Sequence, residues 1–111
     1  MSDFAHLKSF CGPKELQDLC NTFEAESQAL LADLSKSIKD RDAEETRRLA
    51  HQLKGLASTL AATDMHSFAA TLESHVKQSE WNPVEGLYGQ LAESVIQVKN
   101  DLKKAAFPDK L

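Results

Sequence analysis

The residue whose surroundings point most clearly to chemistry is His51. Between residues 42 and 62 the apolar positions recur every three or four residues, a spacing that predicts one amphipathic helix. Its apolar stripe consists of Leu49, Leu53, Leu56 and Leu60. At about 100° per residue, His51 lies roughly 170–200° from the centre of that stripe, so its imidazole points away from the core. An exposed imidazole is largely neutral at neutral pH and is then a competent nucleophile.

The sequence around His51 is basic, although the whole chain is acidic. No Asp or Glu occurs between Glu45 and Asp64, and that stretch contains three basic residues, which are Arg47, Arg48 and Lys54. On a helix they flank His51 within about 60° on either side. Because phosphate oxygens are strong acceptors for Arg and Lys, this patch would stabilise a phosphoryl group on the imidazole, or the charge that develops during its transfer.

Small side chains share the predicted face of His51. They are Gly55, Ser58 and Ala62, and they leave the imidazole open to another surface. A glycine inside a helix costs roughly 1 kcal/mol relative to alanine. The presence of glycine at position 55 therefore needs an explanation, which is either the close approach of a partner or close packing within the protein.

Each of these residues also has an ordinary structural explanation. A lone exposed histidine on a helix needs no function, and Arg48 follows Glu44 by four residues, the favourable order for an ion pair worth a few tenths of a kcal/mol. Arg47 and Lys54 have less obvious acidic partners at helical spacing, so we give Lys54 more weight than either arginine. The combination of His51 with Gly55 and the basic flank is what indicates a functional site.

These residues match a family pattern. The run HQLKG at residues 51–55 resembles the H-x-L-K-G signature of histidine-containing phosphotransfer (HPt) domains of two-component phosphorelays. The flanking residues that extend the resemblance are Ala50, Ala57, Ser58, Leu72 and Glu73. The order of a short helix, a long helix, an acidic turn and the motif helix is also similar, over essentially the whole chain. Where the family often has glycines three and six positions after the motif glycine, this chain has Ser58 and Ala61.

The resemblance implies that His51 accepts a phosphoryl group from the aspartyl phosphate of one receiver domain and passes it to the aspartate of another, with receiver domains of response regulators and of a hybrid histidine kinase as its partners. It also implies that Lys54 assists near the phosphate and that Gly55 gives the receiver room to approach. We expect the surrounding partner-binding surface to consist of Arg47, Arg48, Ser58 and Ala62. No cofactor is expected on this chain, because the receiver brings the Mg²⁺. The chain would be a phosphocarrier without kinase activity of its own, in agreement with its lack of a P-loop or a glycine-rich nucleotide loop.

Four long amphipathic helices are predicted to position this face. They run from Pro13 to about residue 39, over residues 42–62, over residues 63–79, and from Pro83 onward, with Asp42 and Thr63 as caps. A short helix over about residues 3–11 precedes them. Short connections favour an antiparallel up-down four-helix bundle, with the short helix over one end and residues 1–111 forming a single domain.

Composition excludes several classes of function. The chain has 111 residues and a formal net charge of −4, which argues against a protein that mainly coats nucleic acid. Its longest apolar run, Ala29 to Ala32, is far shorter than the roughly 20 residues that cross a bilayer, and no signal-peptide region follows Met1. We therefore expect a cytoplasmic monomer without a membrane or nucleic-acid partner. Two cysteines, Cys11 and Cys20, suggest no disulfide framework.

Two further hypotheses concern metals and binding. The other histidines, His6, His66 and His75, lack the spacing of metal ligands, so no metal site is expected. The rival to phosphotransfer is a non-phosphorylated helical adaptor or sequestering protein that binds a partner through the same patch. Uptake of a phosphoryl group by His51 distinguishes the two hypotheses.

Overall fold

Helices make up almost all of the described chain. The computed structural model describes residues 12–107, with α1 at Pro13–Lys39, α2 at Ala43–Thr59, α3 at Thr63–Lys77 and α4 at Val84–Ala106. No strand occurs in these residues, which confirms the predicted all-α class with four helices. The short helix predicted over residues 3–11 lies outside the described residues.

Local interactions set where the first two helices begin. Pro13 occupies the first position of α1, where the missing N–H would have no intrahelical partner. Asp42 caps α2, and its carboxylate accepts a hydrogen bond of 3.1 Å from the backbone N–H of Glu45. The predicted start of the motif helix is therefore confirmed.

The end of α2 differs from the prediction. The helix stops at Thr59, and Ala61 follows with a φ of 54° in the left-handed region. The N–H of Ala62 then donates to the carbonyl of Ala57 at 2.8 Å, and the N–H of Ala61 donates to that of Ser58 at 3.2 Å, the two bonds of a Schellman motif. Residues 60 and 62 both continue the apolar pattern, so periodicity alone did not reveal this end.

The starts of the last two helices also need correction. Thr63 is the first residue of α3 rather than its cap, because Ala62 occupies the cap position without a side-chain hydrogen bond. α3 ends at Lys77, two residues before the predicted end. Pro83 is the cap residue of α4 rather than its first residue.

The four helices form a bundle around one apolar core. Each helix packs mainly against two others, with α1 against α2, α2 against α3, α3 against α4, and α4 against α1. Leu49 and Leu53 of α2 are almost completely buried there, as is Leu72 of α3. A buried hydrogen bond of 2.8 Å from the hydroxyl of Thr46 to that of Ser37 joins α2 to α1. These contacts fix the rotation of α2 and therefore which of its residues face solvent.

None of the helices within residues 12–107 is both long enough and apolar enough to cross a bilayer.

Candidate functional site

His51 lies in the middle of α2, on the side turned away from the core. Its side chain is 68% exposed, which confirms the outward orientation predicted from the leucine stripe. Arg47 lies one turn before it and Gly55 one turn after it, and Ser58 lies a further turn on; all three are exposed. The structure thus places these four residues along one open strip of α2.

Glu73 of α3 lies beside the imidazole. Its Oε2 atom is 3.6 Å from Nδ1 of His51, which is longer than a hydrogen bond but close enough for an electrostatic contact. A carboxylate in this position stabilises a proton on Nδ1. With the proton there, the lone pair is on Nε2, the ring nitrogen that does not face Glu73.

The same carboxylate binds Lys54. The Nζ atom of Lys54 donates to Oε1 of Glu73 at 2.9 Å, and the two side chains are only 27% and 22% exposed. Lys54 lies beside Ala50 and Ala57, which belong to the buried face of α2. Its side chain is therefore close enough to that face to reach α3. Sequence spacing within α2 offered Lys54 no obvious acidic partner, and the partner comes from the neighbouring helix instead.

The two arginines differ in their contacts. Arg48 forms two hydrogen bonds of 2.7 Å with the carboxylate of Glu45, three residues earlier, rather than with Glu44 as the spacing suggested. The bond from Arg48 holds the pKa of the Glu45 carboxyl below its ordinary value and raises the pKa of the guanidinium. Arg47 is exposed and has no acidic partner among residues 12–107, so its charge is available to an approaching anion.

The surface above Gly55 is open. Among the described residues, a Cβ at Gly55 would meet nothing within 4 Å beyond its own stretch of helix. Close packing against any of these residues therefore does not explain this glycine. Gly86 and Gly89 in α4 are equally open, so openness by itself does not mark a docking site, and the neighbouring His51 is what distinguishes Gly55.

Comparison with known families agrees with this geometry. The family model described as the Hpt domain matches residues 10–101, most of the chain. The chain belongs to the Hpt domain family. This Hpt domain therefore has a histidine phosphotransfer role in phosphorelays, in which Hpt domains interact with receiver domains. No curated protein and no solved structure matches the chain significantly.

One residue of the predicted binding surface of this Hpt domain is misplaced. Ala62 was expected beside His51 on the exposed face, but it is 1% exposed and caps α3. The expectation was wrong because it extended α2 as a straight helix past Thr59, whereas the chain turns into the core at Ala61. The surface around His51 ends at about Ser58.

Two other potentially reactive side chains of the described residues, Cys20 and His75, are already accounted for by burial or pairing, whereas His6 and Cys11 lie outside the described residues. Cys20 is completely buried, and desolvation raises the pKa of its thiol, so it stays protonated and unreactive. His75 pairs with Glu80 at 2.9 Å. Within residues 12–107 no three His, Cys, Asp or Glu side chains cluster in a way that could hold a metal ion.

The residue that sequence reasoning missed is Glu73. It was noted only as part of the family pattern, and no role was assigned to it. Its contacts with His51 and Lys54 depend on how α2 and α3 pack, and α-helical spacing within one helix carries no information about that packing. One feature of the sequence could have drawn attention to Glu73, because it directly follows Leu72, a core position of α3.

Proposed function

We propose that this Hpt domain accepts a phosphoryl group on Nε2 of His51 from the aspartyl phosphate of one receiver domain and passes it to the aspartate of another. The observation that carries the proposal is the exposed imidazole beside Glu73, with an open surface over Gly55. The carboxylate of Glu73 favours the tautomer in which Nε2 holds the lone pair.

The transfer balances without a further reactant. The Nε2 lone pair attacks phosphorus, so an N–P bond forms while the P–O bond to the donor aspartate breaks and its electron pair returns to that carboxylate. The proton on Nδ1 stays in place, stabilised by Glu73. Transfer to the second receiver is the same step in reverse, with the new aspartate as the nucleophile.

The basic side chains have a supporting part in this step. Negative charge on the phosphoryl oxygens is stabilised by cations that are already in place. Arg47 is exposed one turn before His51, and Lys54 lies three residues after His51. We expect Mg²⁺ to be held by the receiver domain, with no cofactor on this chain.

The docking surface that we propose follows the open strip of α2. It consists of Arg47, Arg48, His51, Lys54, Gly55 and Ser58. An acidic receiver pocket would be attracted to its positive charges, and such attraction mainly increases the rate of association. The absence of a side chain at Gly55 lets the loops of the receiver approach the helix closely.

The proposal also covers the arrangement of the module. We propose that the helices are antiparallel in up-down order within one domain, and contacts between α1 and α4 support this. The side chain of Gln17 donates to the carbonyl of Ala106 at 3.3 Å, and the hydroxyl of Tyr88 donates to the carbonyl of Leu31 at 3.1 Å. The start of each helix therefore meets the end of the other. We expect the module to act as a cytoplasmic monomer that presents one face to successive receivers.

Transfer from a phosphorylated receiver tests the proposal. Receiver domains carrying labelled phosphate would be incubated with wild-type protein, with His51→Gln and with His66→Gln. His66 is exposed on another helix, so its variant is the matched control. We expect acid-labile, base-stable label on the wild type and on His66→Gln, and none on His51→Gln.

Two results would contradict the proposal. One is labelling of His51→Gln at the wild-type level, and the other is failure of the wild type to accept label from any receiver in a broad panel. Stable binding of a receiver without uptake of label would favour the adaptor hypothesis instead.

A further inference from the structure

Glu73 contacts both functional side chains of the proposed site. Its two carboxylate oxygens are divided between them, with Oε2 at 3.6 Å from Nδ1 of His51 and Oε1 at 2.9 Å from Nζ of Lys54. The Lys54 pair is about three-quarters shielded from water on each side, so solvent weakens it less than it would weaken a fully exposed pair. In the unphosphorylated protein, the positive charge of Lys54 is therefore already neutralised.

Phosphorylation would change this balance of charge. A phosphoryl group carries close to two negative charges at neutral pH and three strong acceptor oxygens. His51 and Lys54 are three residues apart on one helix, a spacing at which side chains meet. Lysine has a flexible stem and a single compact charge, so it can turn from one anion to another without any movement of the backbone.

Resting on the proposed function, we propose that Glu73 competes with the phosphoryl group on His51 for Lys54. Glu73 holds Lys54 before phosphorylation and partly releases it afterwards. Because part of the stabilising charge stays on Glu73, the phosphohistidine is less stable than it would be beside a free lysine. Glu73 is thus a positioning residue that shortens the lifetime of the phosphohistidine and favours onward transfer.

The proposal predicts a definite effect of charge removal. Glu73→Gln keeps the shape and a hydrogen-bond acceptor but removes the competing charge, so Lys54 becomes fully available to the phosphoryl group. For two charges about 4 Å apart and screened as in bulk water, we expect the lifetime to increase about fivefold. Lys54→Gln should shorten the lifetime, because no ammonium group then stabilises the phosphoryl oxygens.

A double-mutant cycle tests whether Glu73 acts through Lys54. Wild type, Glu73→Gln, Lys54→Gln and the double variant would be phosphorylated with phosphoramidate, whose N–P bond breaks as ammonia leaves. The loss of phosphohistidine to water would then be followed by ³¹P NMR. Glu80→Gln is the matched control, because it removes the carboxylate from the other histidine–glutamate pair, that of His75.

We expect Glu73→Gln to prolong the lifetime more in the presence of Lys54 than in the Lys54→Gln background, where only the contact of Glu73 with the imidazole is lost, with Glu80→Gln like wild type. An equal effect of Glu73→Gln in both backgrounds would overturn the proposal, since Glu73 would then act only through the imidazole. An unchanged or shorter lifetime in Glu73→Gln would also overturn it. If the wild type takes up no phosphate on His51, the proposed function itself fails, and this outcome is distinct from the others.

A second measurement does not require any variant of Glu73. The ¹⁵N resonance of the Lys54 side chain and the ¹³C carboxyl resonance of Glu73 would be recorded in wild-type protein before and after phosphorylation. Exchange of Lys54 between the two anions predicts that both resonances shift together. A shift of the imidazole signals alone, with the Lys54 and Glu73 signals unmoved, would contradict the proposal.

Discussion

At Gly55 the surface of α2 lacks a side chain one turn after His51. Within residues 12–107, a Cβ there would meet nothing within 4 Å beyond its own stretch of helix, so this part of the protein gains no packing from the glycine. A glycine inside a helix lowers stability. Gly86 and Gly89 are equally open, and it is the position of Gly55 one turn after His51 that supports the proposed close approach of a receiver domain.

Substitution of this glycine separates stability from docking. We expect Gly55→Gln to raise the free energy of unfolding by about 0.5 kcal/mol, because glutamine has the better helix propensity. The same variant should reduce the rate of phosphoryl transfer from a receiver at least tenfold, since its side chain obstructs the open surface. Chemical denaturation and the labelled transfer assay measure the two effects.

Gly89→Gln in α4 provides the matched control. Gly89 is also exposed, inside a helix and open above its Cα atom, so its variant should gain the same stability while transfer stays at the wild-type rate. Equal losses of transfer in both variants would contradict a docking surface at Gly55.

Part of the site could be predicted from the sequence because it lies on one helix. The positions of His51, Gly55 and Ser58 on a common face follow from 3.6-residue periodicity and from the leucine stripe opposite. The contacts of Glu73 could not be predicted in the same way, because they depend on packing between two helices. Arg48 pairs with Glu45 rather than with Glu44. This difference depends on side-chain rotamers, which the spacing of the residues does not determine.

The first three helices, α1, α2 and α3, end in the same way. Arg41, Ala61 and Ser79 follow α1, α2 and α3 with φ values of 54°, 54° and 60°. In each case the next N–H donates to the carbonyl five residues before it, which closes the helix with a Schellman motif. Glycine is the usual residue at this position, and none of the three is glycine.

This use of non-glycine residues in Schellman motifs explains which helix boundaries could be predicted from the sequence. The start of α2 was identified correctly because Asp42 is a recognisable cap. The end of α2 was missed because Ala61 gives no stop signal and because the buried residues on both sides of it, Leu60 and Ala62, continue the apolar pattern. A backbone conformation that a residue adopts against its own preference leaves little trace in the sequence.

Relief of that conformation gives a stability prediction. We expect Ala61→Gly to raise the free energy of unfolding by about 0.5–1 kcal/mol, because glycine adopts the left-handed region without steric cost. Urea denaturation monitored by circular dichroism measures the change. Ala25→Gly, at an exposed position inside α1, is the matched control and should lower stability by about 1 kcal/mol. A loss of stability in Ala61→Gly comparable to that in Ala25→Gly would contradict the left-handed conformation at residue 61.

Across the whole molecule, the charge is distributed unevenly. The net charge is −4, yet no acidic residue occurs in the sequence between Glu45 and Asp64, where His51 lies. The folded protein modifies this pattern, because α3 brings Glu73 against Lys54 and the imidazole. The exposed face therefore combines the positive charge of Arg47, which has no acidic partner within residues 12–107, with a neutralised one at Lys54. We propose that this combination attracts an acidic receiver without holding the phosphate too firmly.

Reconstitution of a complete relay tests the central claim most directly. A receiver domain carrying labelled aspartyl phosphate would be mixed with a second, unlabelled receiver and with wild-type protein or His51→Gln. We predict that label reaches the second receiver only in the presence of the wild type. Label should also appear on His51 before it appears on the second receiver. Transfer between the receivers at the same rate with His51→Gln would contradict the account.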